Sequence, residues 1–207
     1  MTVVVQGAAS QSVAQDMRRW VERAVIGLNL CPFARSVQAR GQIHYTVSSA
    51  TSAPELLADL RQVMQELLAH DAALRDTTLL AVPYWLDDFL QFNAFVGQAQ
   101  RLLRRSALDG TLQLATFHPQ YEFADAKADA ITNYTNRAPY PALHVLREAS
   151  VACAVRGFAQ PESIYQRNLR TMEQLGTEGW QRLGIVRSVG PASLSPVHDA
   201  LPGAGLP

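Results

Sequence analysis

Apolar positions recur at helical spacing from about Val13 to Leu30, where Met17, Trp20, Val21, Ala24, Val25 and Leu28 form one stripe. Ser12 and Gln15 have capping-box spacing, and Pro32 sets the end, because the residue before a proline is pushed out of the α region. The period then becomes two. Ile43, Tyr45 and Val47 alternate with His44, Thr46 and Ser48, which predicts a strand over 43–48 with one polar face. Helical spacing returns after Ser52-Ala53-Pro54-Glu55, and Leu56, Leu60, Val63 and Leu67 carry it to about Ala69. Thr77 to Val82 reads as a second strand whose run Leu79-Leu80-Ala81-Val82 is apolar on both faces, as in a central strand, and Pro83 closes it. Asp87 or Asp88 caps a third helix along Phe89, Phe92, Val96, Ala99 and Leu103. After the turn signal Asp109-Gly110, Thr111 to Phe117 reads as a third strand.

Pro119 to Tyr140 has no clear period but many aromatics, so it is expected to be ordered and packed. A fourth helix is expected from near Pro141 to before Gly157, and a fifth from Pro161 to before Gly176. Strand, helix, strand, helix, strand is the rhythm of right-handed crossovers. The expected fold is therefore α/β: a small three-stranded, mostly parallel sheet of order 1-2-3, flanked by about five helices. Order 2-1-3 and an antiparallel first strand are the alternatives. Residues 1–11 read as a flexible arm, 12–176 as a single domain, and 177–207 as a mostly disordered tail poor in charge. From Ser188 onward that tail is expected to add little stability.

Composition narrows the function classes. The 207 residues carry 18 basic and 18 acidic side chains, so there is no excess charge to drive binding to nucleic acid or an anionic membrane. With 48% hydrophobic and 17% charged residues the chain is not intrinsically disordered as a whole. Two cysteines make neither a disulfide framework nor a cysteine zinc site. No secretory signal and no membrane-length apolar run is seen, so a cytoplasmic, thiol-reduced protein is expected.

In an open parallel sheet, ligands bind beyond the carboxyl ends of the strands. Those ends deliver Tyr84, Trp85 and His118, followed by the long loop with Asn133, Asn136 and Arg137. His118 is the acid–base candidate, since an imidazole titrates near neutrality. Arg137, ahead of the expected fourth helix, suits a small anion, with Asn133 and Asn136 adding amide contacts and Tyr84 or Trp85 forming a wall. The opposing reading is structural: a histidine bonded to backbone, asparagines in turns, and an arginine paired with a carboxylate. His144 is a further ligand-binding candidate. One helical turn from Glu148, it would complete a two-histidine, one-carboxylate set with His118, but the spacing is common by chance and no metal is assigned. An ion pair of Arg147 with Glu148 is the expected alternative. Cys31, at a helix end that disfavours a thiolate, and Cys153 are expected to be packed thiols. No phosphate loop, dinucleotide fingerprint, nucleophile elbow or zinc-protease motif is present, so no cofactor is named.

Four stretches together resemble a bacterial family: Trp20 to Phe33 (WVERAVIGLNLCPF), Thr77 to Pro83 (TTLLAVP), Phe117 to Ala124 (FHPQYEFA) and Asn133 to Ser150 (NYTNRAPYPALHVLREAS). The chain resembles domain-of-unknown-function family 1415 over about Ala14 to Gly176. The resemblance implies a single domain with these segments as its signature and implies no activity, cofactor or site residue. Two function classes follow from the residues. One is a small-molecule enzyme or binding protein for an anionic metabolite at the carboxyl edge of the sheet. The other is a protein-interaction module using the aromatic loop 119–140.

Overall fold

The computed structural model describes residues 7–156 and 163–190. Among these residues six α-helices surround one four-stranded sheet. The strands are β1 (Ile43–Val47), β2 (Thr77–Ala81), β3 (Leu112–Phe117) and β4 (Ala142–Arg147), in spatial order β1-β2-β4-β3. β1 and β2 pair in parallel, and β4 runs antiparallel between β2 and β3. β1, β2 and β3 therefore point the same way, as expected. The expected order 1-2-3 is corrected by a fourth strand inserted between the second and third, so the sheet is mixed.

That strand occupies the first half of the expected fourth helix. Ala142-Leu143-His144-Val145-Leu146 is a short apolar run, and periodicity alone does not separate a helix from a fully flanked strand in such a run. Its two edges find partners on both sides, and the chain turns helical only at Glu148, in α5 (Glu148–Arg156).

α3 (Ala53–Ala69) and α4 (Phe89–Arg105) cover one face of the sheet. Leu56, Leu60 and Leu67 meet Phe92, Phe95 and Ala99 there, above Leu80, Leu143 and Val145. Asp88 caps α4 through a bond from Gln91 N–H (2.8 Å). The other face is half covered by α1 (Ala8–Trp20) and a π-helical stretch, Val21–Ile26, whose Trp20, Val21 and Ala24 lie on Leu79, Ala81 and Ala142. α1 begins at Ala8, so residues 8–11 belong to it. Ser12 is inside the helix, bonded to Ala8 O, rather than in a capping box.

α2 (Ala34–Ala39) follows the turn at Pro32. α6 (Ser163–Arg182) breaks at Gly176, whose φ of 63° is left-handed, and is helical again beyond it. The expected helix start at Pro161 lies outside the described residues. Residues 177–190 are not a loose tail. Arg23 Nη1 holds Leu183 O (2.8 Å), Arg187 pairs with Asp87 (2.7 Å), and Ser188 N–H and Oγ both donate to Asp16. Residues 191–207 lie outside the described residues. No described helix is long and apolar enough to cross a membrane.

Candidate functional site

The carboxyl edge does not assemble as expected. His118 is fully buried between Phe89 and Phe92, with ring centroids 5.3 and 5.0 Å away. Its Nδ1 accepts from Gln120 N–H (3.0 Å), which leaves the proton on Nε2, donated to Leu86 O (2.9 Å). Both nitrogens are committed, and burial lowers the pKa, so the imidazole is held neutral. Arg137 donates from Nε to Tyr121 O (3.1 Å) and from Nη2 to Ala128 O (2.7 Å), and stacks on Tyr134 at 4.3 Å. Asn133, fully buried, accepts from Phe123 N–H and donates to Lys127 O and Ala128 O. Asn136 accepts from Thr135 Oγ1 and, through its carbonyl, from His118 N–H. These groups tie the long loop to itself, around a short 3-10 helix at Ile131–Thr135.

An open cleft of about 250 Å³ passes Arg137, between Tyr134, Trp180 and Arg187, but His118 has no surface in it. Neither Tyr84 nor Trp85 lines this cleft: Tyr84 packs with the α1 side of the sheet and Trp85 with the α3–α4 side, edge-on to Phe95.

The opposite, amino-terminal end of β1–β3 holds a different arrangement. There α1 no longer covers the sheet. An inner chamber of about 280 Å³ lies over Thr77, Ala115, His144 and Leu146, roofed by Cys31, Phe33 and Val37 from the α2 region and by Val151 and Ala154 from α5. An open outer chamber of about 460 Å³ adjoins it, with Arg40 and Cys153 on its wall, and Phe33, Val37, Asp76, Ser150 and Ala154 border both. Ser150 Oγ donates to Asp76 Oδ1 (2.5 Å) at that border. Cys31 is half-buried and Cys153 exposed, so the expectation of a packed Cys153 is corrected: α5 is a covering helix and turns that side chain outward.

His144 faces the inner chamber from the central strand β4. Its cross-strand neighbours are Leu79 on β2 and Ala115 on β3, both apolar. Burial among them pushes its pKa down to about 4, so the imidazole is neutral at physiological pH. Thr77 Oγ1 lies 2.6 Å from His144 Nε2 and 2.6 Å from Val145 O. A hydroxyl has one proton, and a carbonyl only accepts. Thr77 therefore donates to Val145 O, and His144 Nε2 must carry a proton and donate to Thr77. The lone pair is then on Nδ1. Among the described residues Nδ1 has no hydrogen-bond partner and is not sealed from solvent, so it is open to the chamber.

The other constellations dissolve. Residues alternate across a strand, so His118, beyond β3, shares the α4 face of the sheet and His144 the opposite one. Glu148 lies by Arg104 and Leu112, away from both. No three His, Cys, Asp or Glu side chains cluster as a metal site among the described residues. Arg147 makes no pair with Glu148. It turns to the α3 face and donates to Leu67 O (2.5 Å) and His70 O (2.6 Å), capping that helix. Thr77 is no site candidate in the sequence, where it only opens the second expected strand. Only knowledge that 142–147 is a strand beside it would have paired it with His144.

The molecule is thus a mixed α/β protein with a two-chambered cleft on the half-covered face of its sheet. It belongs to the family described as protein of unknown function (DUF1415), whose model matches residues 12–182. No curated protein and no solved structure matches the chain. Each of the four stretches that carry the family resemblance lends the inner chamber at least one side chain: Cys31 and Phe33, then Thr77, then Phe117, then His144, Leu146 and Ser150.

Proposed function

We propose that the protein binds, and acts on, a small molecule in the inner chamber, with His144 as the acid–base group. The observation that carries this reading is a neutral imidazole with an unshared Nδ1 lone pair in a largely apolar hollow of about 280 Å³. Such a group accepts a proton or a hydrogen bond from a molecule seated against it. The unpaired thiols of Cys31 and Cys153 fit a cytoplasmic, reducing setting.

The anion site at the carboxyl edge is not the reading we adopt, because Arg137 is spent on carbonyls and His118 is sealed. The interaction-module reading also loses its basis. Tyr121, Phe123 and Tyr134 are half-buried, packing on Phe89, Tyr165 and Trp180.

A thermal-shift screen with small apolar molecules tests the proposal. A ligand at about 100 times its dissociation constant stabilises by about 2.7 kcal/mol. Ala115→Leu, which fills the chamber from its floor, should abolish every shift that wild type gives. Shifts that survive in Ala115→Leu would place binding elsewhere.

A further inference from the structure

The inner chamber is asymmetric in its hydrogen-bonding chemistry, and this selects a ligand class. Thr77 is bonded to Val145 O and His144 Nε2, and the Ser150 hydroxyl donates its hydrogen bond to Asp76 Oδ1. Arg147 also borders the chamber, but its guanidinium is held on the far face of the sheet by the carbonyls that end α3, and Arg40 lies on the wall of the outer chamber, bonded through Nε to Gln42 Oε1 (2.6 Å). What His144 and Asp76 offer is acceptors: one lone pair on Nδ1, and a carboxylate at the border. Gln113 presents either polarity and so selects neither. A carboxylate or phosphate entering here would meet a lone pair and a negative charge. A hydroxyl would meet an acceptor at the right depth.

We infer that the inner chamber recognises a neutral, largely apolar molecule through one hydroxyl, that of a phenol or alcohol, delivered to Nδ1 of His144, with Thr77 as the positioning residue that holds the imidazole proton on Nε2. The inference rests on the chamber being the ligand site. Size agrees with it: a cavity of about 150 Å³ takes one benzene, so about 280 Å³ suits a substituted ring or a bicycle. Thr77 acts through geometry. Without its oxygen the Nε2 proton would be buried with no acceptor, and the proton would move to Nδ1, turning the acceptor in the chamber into a donor.

The full-length protein labelled with ¹⁵N in its histidines decides the matter by nuclear magnetic resonance, with p-cresol, toluene and p-toluate as probes. In the free protein the His144 ring nitrogens should report a proton on Nε2 alone. p-Cresol should shift the Nδ1 signal and bind about tenfold tighter than toluene, the worth of one hydrogen bond. p-Toluate should leave both nitrogens unmoved. In Thr77→Val the ring proton should appear on Nδ1 and the preference for p-cresol over toluene should shrink, because the phenol is then left to accept through its weaker oxygen, while toluene still binds; Thr77→Ser should restore both. A proton found on Nδ1 in wild type, or equal affinity for p-cresol and toluene, overturns the inference and leaves the site standing. So does p-toluate binding with a His144 shift. If none of the three probes moves His144, the reading of the chamber as a ligand site fails, and the inference with it. Should Thr77→Val not fold, the comparison of the three probes on wild type decides alone.

Discussion

Replacing Asp16 by alanine should loosen residues 187–190 from the core. The carboxylate is 2% exposed and accepts from four donors: Tyr140 Oη (2.8 Å), Ser188 N–H (2.7 Å), Ser188 Oγ (3.0 Å) and Arg19 Nη1 (3.2 Å). The Arg19 side chain is 36% exposed, so its contact is weighed as a surface pair, at most about 1 kcal/mol. The other three are bonds to a charged acceptor, about 1.5–3 kcal/mol each, and they do not add fully because Ser188 turns to water once released. Tyr140 has no such escape: it is fully buried, and its hydroxyl also accepts from Val189 N–H (3.0 Å). The expected loss is about 3–5 kcal/mol, the usual cost of breaking a buried charged network. At about 2–4 °C per kcal/mol for a chain of this size, Tm falls by roughly 10 °C. Urea unfolding with calorimetry measures it. Truncation after Val186 supplies the control. It should itself destabilise, against the expectation drawn from the sequence, and Asp16→Ala should cost clearly less in the truncated chain. A loss under about 1 kcal/mol, or one unchanged by truncation, would refute Asp16 as the anchor of this segment.

Three further expectations follow. His118→Ala should cost about 2–4 kcal/mol by urea midpoint, because it opens a hole beside Phe92 and orphans Leu86 O and Gln120 N–H; a near-neutral result would return His118 to the list of functional candidates. His144 keeps its neutral form down to about pH 4 when folded but only to about 6.5 when unfolded, so the unfolded chain takes up the proton first. Stability from this group is therefore full above about pH 6.5 and declines by about 3 kcal/mol toward pH 4, and His144→Gln should flatten that slope in pH-dependent urea titrations. Gly27→Ala should cost about 1–3 kcal/mol in thermal melts, since a Cβ there would sit 2.2 Å from Arg23 O where the π-helical stretch ends; an unchanged Tm would mean that the turn relaxes freely.

Three strands, their common direction, α3 and α4 were readable because each is amphipathic or bounded by its own proline, glycine or cap. Asp88 is an example, since its capping bond spans only three residues. β4 was not readable, because Ala142–Leu146 takes its identity from neighbours 25 to 69 positions earlier in the chain. Read as a helix over 141–156, the same residues put His144 on one face with Glu148 and leave Thr77 without a partner. At the carboxyl edge the residue types are those of a binding site, but His118, Asn133 and Arg137 all bond to backbone, the structural alternative given above for the first two. The docking of Ser188 on Asp16, 172 positions away, has no local signature at all.

The strand at the heart of the sheet is the last of the four to be synthesised. On the ribosome, β1, α3 and β2 can pair as soon as Ala81 has emerged, since that crossover is local. β3 has no neighbour in the sheet until residues 142–147 follow it, because β4 alone touches it. During that interval the inner edge of Thr77–Ala81, the strand buried at every position, offers unsatisfied backbone groups to any other extended chain. Late, non-local closure of this kind slows folding. Variants that weaken β4 should therefore show their damage first as aggregation of nascent or refolding chains, before the melting temperature of the finished protein registers it.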